Sequence, residues 1–124
     1  MSERVSAAFQ SAGWAAPTAT DLATTFGEPP ARVEKAVSLL VERAVLVRLD
    51  EHLCIHRDAL EAARQLVLKL FAQKRSVSTM EFRDALGVSR KYAVPLLDHL
   101  DRTRFTVRSG HDRTPGVEAR KLMK

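Results

Sequence analysis

The sequence predicts a mainly α fold of two tandem units, each made of three helices closed by a small β-hairpin. Three observations lead there: a gapless internal repeat at an offset of 60 residues, the same order of helix and turn signals in both copies, and a pair of β-prone runs ending each copy. Residues 18–49 lie over residues 78–109. Thr18 and Asp21 fall on Ser78 and Glu81, and Phe26-Gly27 on Leu86-Gly87. Val33, Ala36, Val37 and Leu40 fall on Ala93, Leu96, Leu97 and Leu100, and Val45 and Val47 on Phe105 and Val107.

The first helix of each unit is predicted over 3–12 and 59–73. Val5, Ala8, Phe9 and Ala12 form the apolar stripe of one, and Ala59, Ala63, Leu66, Leu70 and Phe71 that of the other. A short second helix opens on a capping box, Ser78 with Glu81, and on its weaker copy, Thr18 with Asp21. Gly27 and Gly87 end these helices, because glycine accepts the left-handed conformation that stops one. A third helix runs over 30–43 and 90–102, with Pro30 suited to a first position and Ser89 able to cap the second copy. The hairpins are expected at 45–49 with 53–56, and at 105–109 with 112–114. Three helices with a tight turn before the last, then a hairpin, describe a winged helix. The units are placed at 1–56 and 57–124, with 57–73 as a shared strut.

Charge separates the two units. Residues 1–60 hold six Lys/Arg against eight Asp/Glu, whereas residues 61–124 hold fourteen against seven. Only the second half has the balance of a polyanion binder. The third helix of unit one starts with Glu28, Arg32 and Glu34. That of unit two starts with Arg90, Lys91 and Tyr92 and has no acid before Asp98. The second hairpin adds Arg104, Arg108 and Arg113 against Asp112. Cations at a helix start oppose its dipole by a few tenths to about 1 kcal/mol. Phosphate, which that helix start also attracts, accounts for them. Tyr92 suits either a stack on an unpaired base or packing against the core. Pro95, inside the helix, is left without an account by charge.

The run "FRDALGVSRKYAVPLLDHLDRTRFTVRSGHDR", residues 82–113, closely resembles the end of bacterial selenocysteine-specific elongation factors, the SelB family. The proline belongs to that pattern. The resemblance is dense over unit two and diffuse over unit one. It implies a C-terminal winged-helix pair that follows a GTPase body and grips an mRNA hairpin beside an in-frame UGA codon, directing selenocysteine incorporation. The RNA contacts it implies are Arg83, Ser89, Arg90, Lys91, Tyr92, Arg104, Arg108 and Arg113. Its partners are the mRNA hairpin, the ribosome and the GTPase body, and the chain is expected to be monomeric. The tail Gly116–Lys124 departs from the pattern. It would add basic contacts or be disordered.

Other chemistry finds little support. No P-loop signature, G-x-x-x-x-G-K-[S/T], is present, and no nucleophile, base and orienting acid share a motif. An enzyme and a cofactor are therefore not expected. His52, Cys54 and His56 alternate on one predicted strand but lack a fourth metal ligand. Cys54 is the only cysteine, which excludes an internal disulfide, and it is expected to be a buried hydrophobe. Trp14 is expected to plug the core. No apolar run nears the roughly 18 residues a membrane span needs, and "MSERVSAAFQ" is not a secretory signal, so a cytoplasmic protein without a membrane partner is expected. A DNA-binding transcriptional regulator and a protein-interaction module stay open beside the RNA reading.

Overall fold

The computed structural model describes residues 1–123. The chain divides into two compact units, Met1–Leu60 and Glu61 onward. Unit one runs α1 (Ser2–Ala12), α2 (Ala19–Phe26), α3 (Pro30–Glu42), β1 (Leu46–Arg48) and β2 (Cys54–His56). Helix α4 (Arg57–Gln73) follows, and the unit boundary falls within its first turn. Unit two continues with β3 (Val77–Ser78), α5 (Thr79–Leu86), α6 (Arg90–Arg102), β4 (Thr106–Ser109), β5 (Asp112–Pro115) and α7 (Val117–Leu122). No helix among the described residues is long and apolar enough to cross a membrane.

Both winged-helix cores follow from helical spacing. Val33, Ala36, Val37 and Leu40 are buried on α3, and Ala93, Leu96, Leu97 and Leu100 on α6. Phe9 in unit one and Phe82 in unit two are almost fully enclosed, each worth about 2–3 kcal/mol of burial. The stripe of α4 differs from the expected one: Leu60, Ala63, Val67 and Phe71 are buried, while Leu66 and Leu70 are half-buried. A long apolar helix offers two adjoining stripes, and packing selects between them.

Helix ends are set by local chemistry. Both capping boxes form completely, Thr18 with Asp21 and Ser78 with Glu81. Gly27 and Gly87 close α2 and α5 at φ +65° and +69°. Ser89 precedes α6, but its hydroxyl makes no capping bond, so the expected cap is absent. Helix α6 continues through Pro95, which has no N–H to return to the Lys91 carbonyl.

The hairpins have different loops. In unit one Leu46 pairs His56 and Arg48 pairs Cys54. In unit two Thr106 pairs Pro115 and Arg108 pairs Arg113. The turn in unit two is therefore one residue shorter. Unit two also gains a third strand: β3 pairs β5 through Val77–Arg113 and Ser78–Asp112, giving the order β3-β5-β4. Two non-glycine residues at equivalent turns have positive φ, Ala44 at 60° and Arg104 at 63°. Within the tail, Val117–Leu122 is helical and buries Ala119, while Lys124 lies outside the described residues.

The remaining unit-one expectations resolve locally. Trp14 is half-buried, and its indole N–H donates to the Ala59 carbonyl at 2.8 Å. Cys54 and His56 are buried in β2, whereas His52 is exposed and lies before the strand. His56 Nδ1 accepts the Asp58 N–H at 3.1 Å and so caps α4. Burial pushes the Cys54 thiol pKa up. Among the described residues no cluster of His, Cys, Asp or Glu is placed to hold a metal ion.

Candidate nucleic-acid interface

The start of α6 presents cations and backbone N–H groups together. The Ser89 hydroxyl caps none of the first-turn N–H groups; that of Tyr92 donates to the Ser89 carbonyl at 3.1 Å, and those of Arg90 and Lys91 face outward for an acceptor. At the start of α5 the Ser78 hydroxyl takes the Glu81 N–H and the His111 carbonyl takes the Thr79 N–H. Arg90 is exposed and makes no ion pair among the described residues. Two acids could have masked it, but Asp84 pairs with Arg83 at 3.2 Å and Asp98 faces Arg113 at 3.7 Å.

A groove of about 490 Å³ lies between α5, α6 and the hairpin wing. Arg83, Arg90 and Arg108 line it with Met80, Val94 and Asp98. Arg90, Val94 and Asp98 are four residues apart and so share one face of α6. Arg108 Nε donates to the Gly110 carbonyl at 3.2 Å, which holds the wing tip and leaves the rest of the guanidinium exposed. Met80 is 62% exposed, an apolar surface among cations that suits a base or ribose. The groove can neutralise phosphates and bind one unstacked nucleotide without any covalent chemistry.

The sequence-predicted contacts divide accordingly. Arg83, Arg90 and Arg108 meet at the groove. Lys91 and Tyr92 lie one and two helical steps round from Arg90, on other faces, with Lys91 Nζ 5.0 Å from the Tyr92 ring centre. Ser89 is exposed at the helix start. Arg104 lies beyond the far end of α6, about 20 Å from Arg90 by helical rise, at the base of the hairpin. Arg113 requires a correction. It lines the groove, but it is 4% exposed and both its terminal nitrogens are bonded inside unit two, so it is a wall residue rather than an exposed contact. Period-2 alternation on β5 places it inward, a signal that its charge obscured. Met80 and Asp98 were missed as groove residues, although Met80 on the first turn of a capped helix, over Thr20 in the repeat, was a signal.

Unit one has the equivalent groove, about 550 Å³, lined by Thr18, Thr20, Glu34, Arg48, Glu51 and His52 among others. Glu34 takes the place of Val94, and Glu51 that of His111. Arg48 retains the place of Arg108 beside these two acids. The same architecture has thus been made cationic in one unit only.

Residues 69–114 match the family model described as the winged helix of elongation factor SelB. That stretch of the chain is similar to a SelB winged helix. Two curated selenocysteine-specific elongation factors are similar to the chain. That of Desulfomicrobium baculatum is 30% identical over 81 residues, 65% of this chain and 13% of the factor. That of Escherichia coli (strain K12) is 26% identical over 92 residues, 74% of this chain and 15% of the factor. The chain therefore spans about one-seventh of the length of these relatives. Among solved structures, the mRNA-binding domain of E. coli elongation factor SelB in complex with SECIS RNA superposes with a TM-score of 0.74 at 24% identity, covering 79% of this chain and 81% of that one. That likeness establishes the tandem winged-helix fold. The SelB-type match falls on the unit that holds the cationic groove.

Proposed function

We propose that the chain is the RNA-binding C-terminal part of a selenocysteine-specific elongation factor, and that its second unit grips an mRNA hairpin to direct selenocysteine incorporation at UGA. The observation that carries this reading is the groove where Arg83, Arg90 and Arg108 meet the uncapped start of α6. Its place within the SelB-type segment and the family of the relatives support it. On this reading the chain is a non-catalytic, cofactor-free, monomeric module of a cytoplasmic factor. A GTPase body and the ribosome are partners of the longer protein. Unit one serves as the spacer that connects unit two to that body.

An RNA ligand is favoured over duplex DNA because the groove combines cations with an exposed apolar surface, which suits an unpaired nucleotide. The test titrates the full chain with three probes at two salt concentrations. They are the hairpin adjoining an in-frame UGA in the source message, the same hairpin with its loop replaced, and a DNA duplex of equal length. The expected result is preference for the native hairpin, with log affinity falling against log salt at a slope of about −3 to −5, as four to six phosphate contacts require. Equal binding of the DNA duplex, or indifference to the loop, overturns the reading.

A further inference from the structure

Unit two contains a polar cluster in which Thr79 and Arg113 reach the wall of the groove while bonded to one another. Arg113 donates to Thr79 Oγ1 at 2.7 Å and to Asp101 Oδ2 at 3.2 Å. Asp101 Oδ1 in turn accepts the Thr106 hydroxyl at 2.6 Å. The cluster thereby ties α5, α6, β4 and β5 together. Thr79 also anchors the wing tip, donating its N–H to the His111 carbonyl at 3.1 Å and its hydroxyl at 3.3 Å. Arg113 Nε is buried without a partner. A buried charge that is incompletely bonded is a poor source of stability.

Unit one shows that the winged helix does not need this cluster. Strand pairing sets Cys54 opposite Arg48 where Arg113 stands opposite Arg108. At the 60-residue offset, Thr79, Asp101 and Thr106 fall on Ala19, Val41 and Leu46. The same four stations are thus apolar in unit one, with Leu46 and Cys54 at 1% and 3% exposure. What the polar version adds is direction. Arg and carboxylate bond in a fixed, forked geometry, whereas apolar side chains allow one element to slide on another.

We propose that the Arg113 cluster is a brace that fixes the wing against α6, so that Arg108 and Arg90 face one ligand together. Arg113 is a positioning residue, and the inference rests on the RNA-binding reading above. The test uses the full chain and the hairpin that adjoins UGA. Asp101→Val, Thr106→Leu and Arg113→Met are combined to imitate unit one. Melting temperature and hairpin affinity are both measured. The expected result is melting equal to or above wild type, with affinity at least fivefold weaker. Loss of affinity at undiminished stability is an outcome that a merely structural role does not produce. A smaller loss in a folded triple variant overturns the brace. If the triple variant does not fold, Arg113→Lys decides, since it keeps the charge and removes the fork. A fivefold or greater loss at unchanged melting supports the brace, and a smaller one overturns it. Failure of the wild-type chain to bind the hairpin overturns the RNA reading instead, so the two failures are distinct.

Discussion

At the scale of single residues, two arginines of similar appearance in sequence do different work. Arg90 is exposed and has no ion pair among the described residues, and Arg113 is flanked by Asp98 and Asp101. Arg90→Ala is expected to weaken hairpin binding by about 1 kcal/mol, roughly fivefold, and to flatten the salt slope by about 1, with stability changed by less than about 0.5 kcal/mol. Fluorescence titration at two salts beside thermal melting checks this; unchanged affinity removes Arg90 from the interface. His99 makes a different prediction. Burial, then the charges of Arg102 and Arg64, hold its pKa below the usual histidine value. The folded protein therefore takes up this proton less readily than the unfolded chain. Stability is fully present above about pH 6.5 and falls as the pH drops through the folded pKa. Denaturant melts at pH 7.5 and 5.5 should show a loss of stability that His99→Gln removes. The window lies above that of Glu81, whose pKa is lowered by its bonds to Lys74 and the Ser78 amide.

At the scale of elements, the helices were legible because their signals are local. Capping boxes, the helix-ending glycines and the apolar spacing of α3 and α6 each act within a few residues. Strand β3 was not legible, since two residues have no period and exist as a strand only by pairing with β5. The seating of α7 was likewise a tertiary matter. Gly116 donates its N–H to the Phe105 carbonyl, and a Cβ on it would stand 2.2 Å from the Arg104 carbonyl oxygen. Its φ of −82° is ordinary, so the need for glycine is one of space. Gly116→Ala should cost about 2 kcal/mol or more and lower the melting temperature by roughly 10 °C, measurable by calorimetry. An unchanged melting temperature would show that the hairpin base yields freely.

At the scale of the whole molecule, the difference between the two units was visible in charge alone. Residues 1–60 carry an excess of acid and residues 61–124 a large excess of base. The groove itself was only half visible: the cations could be named, but which of them converge depends on the helical faces and the register of the wing. A fragment of residues 57–124, which keeps α4 intact, is expected to retain hairpin affinity within about fivefold of the full chain. Residues 1–56 are expected to bind more than a hundredfold more weakly. Comparable affinity in the fragment of residues 1–56, once circular dichroism shows both folded, would contradict that expectation.

The paired turns at Ala44 and Arg104 have a practical consequence. An L-residue in the left-handed region is strained by about 1 kcal/mol, and both turns accept that strain although their side chains have nothing in common. The strain therefore belongs to the bend between third helix and hairpin, and it is no sign that Arg104 serves a ligand. For protein engineering, these bends are the places to seek a sturdier version of the chain: glycine there removes the conflict at two residues that do not line the cationic groove.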